Sequence, residues 1–202
     1  MMKKKGKNKD LARIKKLTLF FFEIGTLRKI IRSHRQTLLT DDLSDNIASH
    51  SFRTAIIGYF LAKEVGADSD KVIKMCLLHD IEESRAGDQN WIHKKYIKVF
   101  EDEIRKEQLE KIPHSQELLN LSKEYDKKKS LEAKVAKDAD LLDQILLLRE
   151  YEWTGNKEAK RWLDGGAQEK RMYNQISRQI VKDISKQRPS LWWHNLWTSD
   201  RR

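Results

Sequence analysis

The sequence predicts an all-α domain, and three observations carry that prediction. Glycine and proline are sparse, 8 Gly and 2 Pro in 202 residues, where a β-rich domain spends more of both on turns. Apolar residues recur at three- and four-residue spacing along much of the chain, the period of one helix face. Short clusters of Asp, Asn and Ser stand just before these periodic runs, where the free N–H groups of a helix start need acceptors. A chain of this length buries about 70% of its unfolded surface and holds a core without staples. The single cysteine, Cys76, excludes a disulfide framework and a cysteine-based zinc cluster.

A first helix is expected from about Asp10 to Arg32, with Leu17, Phe20, Phe21, Ile24, Leu27 and Ile31 on one face. A polar loop from His34 to Asn46 follows, and its end, Ser44-Asp45-Asn46, is an N-cap for a second helix that runs to Val65 and stops at Gly66. Asp68-Ser69-Asp70 caps a third helix, which carries Val72, Ile73, Cys76 and Leu77 and ends near Ser84. Arg85-Ala86-Gly87-Asp88 reads as a turn. A long charged helix is expected from about Trp91 to Lys111, stopped by Pro113, then a short one from Ser115 to Tyr125. The sixth runs from about Ser130 to Trp153 and ends at Gly155. A short helix near Lys157–Leu163, a Gly165-Gly166 break and an amphipathic helix from about Gln168 to Lys186 complete the pattern, with Pro189 beyond it. The organisation expected is a basic N-terminal tail over 1–10, one helical domain over 11–187 and a Trp-rich basic C-terminal tail over 188–202. The tail tryptophans Trp192, Trp193 and Trp197 are expected to pack on the domain body or on a second subunit, so a homodimer is among the expected assemblies.

Lys plus Arg is 41 and Asp plus Glu is 31, a formal charge of +10. The excess favours anionic partners such as nucleotides, nucleic acid or phosphorylated metabolites. Much of it sits at the two ends, where it defines no site. The longest apolar run, Leu17 to Ile24, is short and contains Glu23, far from the roughly 20 apolar residues a span requires. No small-residue cleavage site follows the basic N-terminus. No membrane association is expected, and the expected compartment is the cytoplasm.

Four elements concentrate side chains suited to metal chemistry. His50 shares a helix face with Ile47, Ile57 and Leu61 and so points into the core. His79-Asp80 ends an apolar helix, with Glu83 four and three residues on, so the three project over one sector. Polar groups there are costly to bury without a shared partner, and a divalent cation takes imidazole and carboxylate together. Gly87-Asp88 lies in the turn beyond. Asp138-x-Asp140-x-x-Asp143 lies inside a helix that is apolar on several sides, and the helical wheel alone does not choose between Asp138 and Asp140 as the ligand.

In this order and on helices, these residues resemble the HD-domain metal-dependent phosphohydrolase superfamily, and within it the 5′-deoxynucleotidase-type branch. Asn46-Ile47-Ala48-Ser49-His50-Ser51-Phe52-Arg53 is similar to the branch's segment around its first His. Leu78 to Asp88 resembles its His-Asp-x-x-Glu-x-x-x-Gly-Asp stretch, and Lys137-Asp138-Ala139-Asp140 its last ligand stretch. The resemblance covers roughly Leu27 to Trp153 and implies an HD-domain helical bundle. It implies His50, His79, Asp80 and Asp140 as metal ligands, the choice of Asp140 following the family pattern, with Asp143 one turn away and in reach of a ligand or a bound His. The implied cofactor is a divalent transition metal, Mn, Co, Fe, Ni or Zn. Glu83 takes the place of the acid that handles the proton of the attacking water or leaving group. The branch carries Arg-x-Gly-Trp before its first His; here the stretch is Arg32-Ser33-His34-Arg35, so the Arg is kept and the Gly-Trp is absent. Arg32, Arg35 and Asp88 are the implied substrate contacts, and a weaker deoxyribose preference is expected.

The function implied is release of phosphate from nucleoside 5′-monophosphates, with a small anionic substrate as partner and nucleic acid not expected. Two alternatives stand beside it: HD hydrolysis of a nucleotide polyphosphate or cyclic nucleotide, and a non-enzymatic basic helical module that binds nucleic acid. Only His93 and His114 lie between Asp80 and Asp140, so a single-metal site is favoured over a two-metal one.

Overall fold

A computed structural model of the chain describes residues 2–110 and 112–196, and Trp197 of the tail cluster lies outside them. The described residues are helical, joined by turns and one isolated antiparallel bridge between Ile31 and Asn46. In order the helices are α1 (Met2–Gly25), α2 (His34–Leu38), α3 (Ile47–Val65), α4 (Ser69–Leu78), α5 (Glu83–Ala86), α6 (Trp91–Tyr96), α7 (Glu101–Leu109), α8 (Ser115–Lys127), α9 (Leu131–Trp153), α10 (Lys157–Asp164), α11 (Gln168–Arg171) and α12 (Gln175–Ile184). No helix among them is long and apolar enough to cross a membrane.

The heart of the bundle is α3, α4 and α9, flanked by α8 and α12. Leu61, Ala62, Val72, Met75, Cys76, Val135, Ala139 and Leu142 fill the space between them and are almost wholly buried. Gly58 sets how closely α3 and α4 approach. A Cβ there would lie 2.8 Å from Cys76 Sγ and 2.9 Å from Val72 Cγ1. The approach matters because the two helices carry the two histidines of the site.

The caps read from the sequence are present. The Asn46 side chain accepts from Ser49 N while the Ser49 hydroxyl accepts from Asn46 N, a reciprocal capping box that starts α3 one turn before His50. Asp68 accepts from the N–H groups of Asp70 and Lys71 at the start of α4. A cap not assigned from the sequence is Ser130, which accepts from Ala133 at the start of α9.

Several boundaries differ from expectation. α1 starts at Met2 and stops at Gly25, and a 3₁₀ turn over Thr26–Lys29 replaces its last expected turn. Ile30–Arg32 is extended and pairs with the segment before α3, Arg32 N–H to Asp45 O at 2.9 Å and Ile47 N–H to Ile30 O at 3.0 Å. The following loop begins with the short helix α2. The third expected helix ends at Leu78, and the chain turns before α5 resumes at Glu83. The long charged helix is two: Ile97 is extended, and α7 restarts with Glu101, Asp102 and Glu103 in its first turn, where the helix dipole favours acids. The last helix is also broken, between α11 and α12 at Met172–Asn174.

Candidate metal centre

Three helix positions converge. His50 sits on the inner face of α3, His79 is the C-cap residue of α4 with Asp80 following, and Asp140 lies midway along α9. His50 Nε2 and His79 Nε2 are 3.1 Å apart. Asp140 Oδ1 lies 3.4 Å from the first and 3.8 Å from the second. Asp80 Oδ2 lies 3.5 Å and 3.0 Å from the same two atoms. His50, His79 and Asp140 form a group able to hold one ion.

The rings are oriented from behind. His79 Nδ1 donates to the carbonyl oxygen of Cys76 at 2.7 Å, and His50 Nδ1 donates to Asp143 Oδ2 at 2.5 Å. Each ring therefore turns its Nε2 inward, with a lone pair there whenever the ring is neutral. Two lone pairs at 3.1 Å, ringed by carboxylate oxygens, are stable only around a proton or a cation. Burial and Arg32 oppose a charged His50, yet Asp140, Asp143 and Asp80 hold its pKa well above the imidazole range. Burial likewise opposes ionisation of Asp140, and Lys137 with the two histidines outweighs it, so the carboxyl is held well below the usual range. Carboxylates that stay ionised beside paired imidazole lone pairs are the donor set of a divalent transition metal.

Asp143 is itself anchored. Arg53 Nε donates to it, Arg53 Nη1 reaches Glu150 at 2.7 Å, and Arg32 Nη1 lies 3.4 Å away. Asp138, the other aspartate of the α9 pattern, belongs elsewhere. It is fully buried and accepts from the backbone N–H groups of Tyr173 and Asn174 and from the Asn174 side chain, at 2.8–2.9 Å. It thereby ties the α11–α12 break to the core.

A cavity of about 420 Å³ opens beside the histidines, and Arg32, His34, Asp80, Glu83, Asp88 and Asp140 are in its wall. Glu83 faces it with Oε2 buried and unpartnered. Burial, then the neighbouring carboxylates of Asp80, Asp88 and Glu82, push the Glu83 carboxyl up to about 10. Asp88 accepts from Ser33 N at 2.6 Å and Ser33 Oγ at 2.9 Å, which holds the Arg32–His34 segment against the cavity. Arg32 is buried, between Asp143 and, at 3.9 Å, Asp45. Arg35 does not reach the cavity: it turns outward to Asp41 at 3.1 Å and the Thr40 carbonyl at 3.0 Å. His34 stands in the wall instead, edge-on to Trp162 with ring centroids 5.2 Å apart.

Some site residues carried no weight in the sequence reading. Arg53 follows His50 by three residues and Lys137 precedes Asp140 by three, so helical spacing was a usable signal for both. Trp162 comes from α10, outside the motif region. The Cys76 carbonyl is backbone and leaves no mark in residue identity.

Comparison with known proteins finds 5′-deoxynucleotidases over most of the chain and, over 57 residues at 42% identity, Ribonuclease Y of Borreliella afzelii. Residues 24–187 match the family described as HD domain. A Dictyostelium discoideum protein named 5′-deoxynucleotidase HDDC2 is 32% identical over 124 residues, covering 55% of this chain and 65% of its own length. The Bos taurus protein of the same name is 27% identical over 152 residues, covering 71% of this chain and 72% of its own. Among solved structures, a predicted metal-dependent phosphohydrolase from Magnetospirillum magnetotacticum MS-1 superposes with a TM-score of 0.63 at 21% identity, covering 87% of this chain and 92% of that one. This last likeness bears on the fold.

Proposed function

The chain belongs to the HD domain family, and from that premise we propose that it is a metal-dependent phosphomonoesterase releasing phosphate from nucleoside 5′-monophosphates. One observation carries the reading: the Nε2 atoms of His50 and His79 meet beside Asp80 and Asp140, and His79, Asp80 and Asp140 line a cavity that Glu83 and Arg32 also line. The 5′-deoxynucleotidase relatives support the reaction class.

His50, His79, Asp80 and Asp140 would hold a divalent transition metal, which when bound supplies Lewis-acid polarisation of a phosphate oxygen and lowers the pKa of a water. Asp143 and the Cys76 carbonyl keep the two rings in the tautomer that binds it. Glu83 holds a proton at a carboxyl facing the cavity and gives it to the leaving sugar oxygen, or in its ionised form takes one from the attacking water. Arg32, fixed by Asp143 and Asp45, places a guanidinium in the cavity wall for phosphate. Asp88 positions the backbone that carries Arg32 and His34. His34 and Trp162 form the face nearest a sugar or base, where the Gly-Trp of the deoxynucleotidase pattern is missing. A homodimer and a cytoplasmic location belong to the same reading. Exposed Trp192 and Trp193 support the first, and a single, buried, reduced thiol supports the second.

The test is metal analysis of the purified protein followed by phosphate release across a panel of ribo- and deoxyribonucleotides. One divalent ion per chain and phosphate from nucleoside monophosphates are expected. No phosphate from any monophosphate, with cleavage of a polyphosphate or cyclic nucleotide, overturns the reading.

A further inference from the structure

A phosphate monoester brings up to two negative charges, and the cavity must answer them beyond the metal. Arg35 faces solvent, and the Arg32 guanidinium is already shared between Asp143 and Asp45. Two lysines line the same cavity. Lys137 Nζ lies 2.6 Å from Asp140 Oδ2 and lines the cavity. Lys128 also lines it, with its ammonium 4.7 Å from the centroid of the Tyr125 ring, whose hydroxyl donates to the same Asp140 oxygen at 3.4 Å.

Lys128 is unusual in two respects. It is a non-glycine residue in the left-handed region, φ 48°, at the end of α8, a conformation that disfavours side chains and that directs this one over Tyr125. Among the described residues its ammonium meets a carbonyl, Asp126 O at 3.3 Å, and no carboxylate within ion-pair distance. Burial, then the charge of Lys137, lowers its pKa, and both side chains line the one cavity. Like charges held together at the edge of a cavity are tolerated where an anion lies between them.

We propose that Lys128 and Lys137 form a two-ammonium clamp for the phosphate oxygens that the metal does not take. The clamp takes the place that the sequence assigned to Arg35. It rests on the phosphomonoesterase reading of the same cavity. Lys137 reaches the phosphate from its station on Asp140, and Lys128 closes over it from the end of α8. Lys128 touches no metal-ligand side chain, so its removal separates phosphate binding from metal binding.

The experiment is calorimetric titration of inorganic phosphate into manganese-loaded wild-type protein, Lys128→Met, Lys128→Arg and Lys137→Met. Losing one charge-assisted contact should weaken phosphate about 10- to 100-fold in each Met variant. Lys128→Arg should recover most of the loss. Manganese affinity and melting temperature of Lys128→Met should match wild type, which a merely structural role would not allow. Wild type that binds phosphate, with Lys128→Met binding it equally well, overturns the clamp and leaves the phosphomonoesterase reading standing. Manganese-loaded wild type that binds no phosphate overturns both.

Discussion

Two charged clusters, each built on a buried ion pair, lie close together in this molecule, and they solve the same problem differently. One is Arg105 with Glu82, Asp102 and Asp126, at 3.2, 2.9 and 2.7 Å. The other is His50 and His79 with Asp80, Asp140 and Asp143. The first carries its own cation, and burial outweighs Arg105 to lift the Glu82 carboxyl to about 8, so the cluster can also shed charge by taking up a proton. In the second, the acids are held ionised and the two imidazoles turn lone pairs toward each other. A buried carboxylate such as Glu82 therefore does not by itself announce a metal. What announces it is a set of donors whose protons are all committed outward, with no permanent cation at the centre.

The contrast can be broken by substitution, beginning with the largest effect. His79→Ala should abolish stoichiometric metal binding by equilibrium dialysis and, with it, phosphate release. Full metal occupancy in that variant would remove His79 from the ligand set. Glu83→Gln should keep the metal and lose on the order of 10²–10⁴ in turnover. Retained activity would pass the proton work to Glu82 or to the metal site alone, and loss of the metal would make Glu83 a ligand.

Asp143→Asn tests the support behind His50. Metal affinity should fall about 10- to 100-fold while His79 still binds, because the amide no longer fixes the Nδ1–H tautomer. Arg105→Met sharpens the contrast from the other side. It should destabilise the fold by about 1–3 kcal/mol in denaturant unfolding, since Glu82 can protonate rather than remain a buried charge, and leave metal affinity within about twofold. A large loss of metal in Arg105→Met would mean that the two clusters act as one. The smallest effect concerns sugar choice. With His34 and Arg35 at the positions where the family pattern has Gly-Trp, dAMP against AMP and dGMP against GMP should differ in kcat/KM by less than about tenfold. A strong deoxy preference in both pairs would assign that selectivity to another residue.

The all-α class, the capped starts of α3 and α4, and the burial of His50 and Cys76 were legible because each follows from local spacing or from a residue's own hydrogen-bonding appetite. The choice between Asp138 and Asp140 was not. Both lie on a helix buried on most sides, and they are told apart by the N–H groups of Tyr173 and Asn174, some 35 residues away, that Asp138 satisfies. The same contact explains why the final helix is broken where its apolar period continues. Arg35 was misplaced for a related reason. A helix through Arg32 would have carried both arginines on together, whereas the Ile31–Asn46 bridge turns Arg32 inward and leaves Arg35 on the outer side of α2. The split between α6 and α7 was marked by the acidic triplet Glu101–Glu103, an N-terminal signal that lay inside the run of charged residues taken for one helix.

The central claim is that outward hydrogen bonds from both Nδ1 atoms make His50 and His79 a preformed pair of Nε2 donors. Long-range ¹H–¹⁵N NMR of the histidine rings, recorded with zero and one equivalent of Zn²⁺, tests it most directly. One equivalent should move the Nε2 resonances of His50 and His79 to ligated values, leave a proton on each Nδ1, and leave His93 and His114 unchanged. Zinc bound through Nδ1 of either ring, or a stoichiometric addition that leaves both rings unaltered, would contradict it.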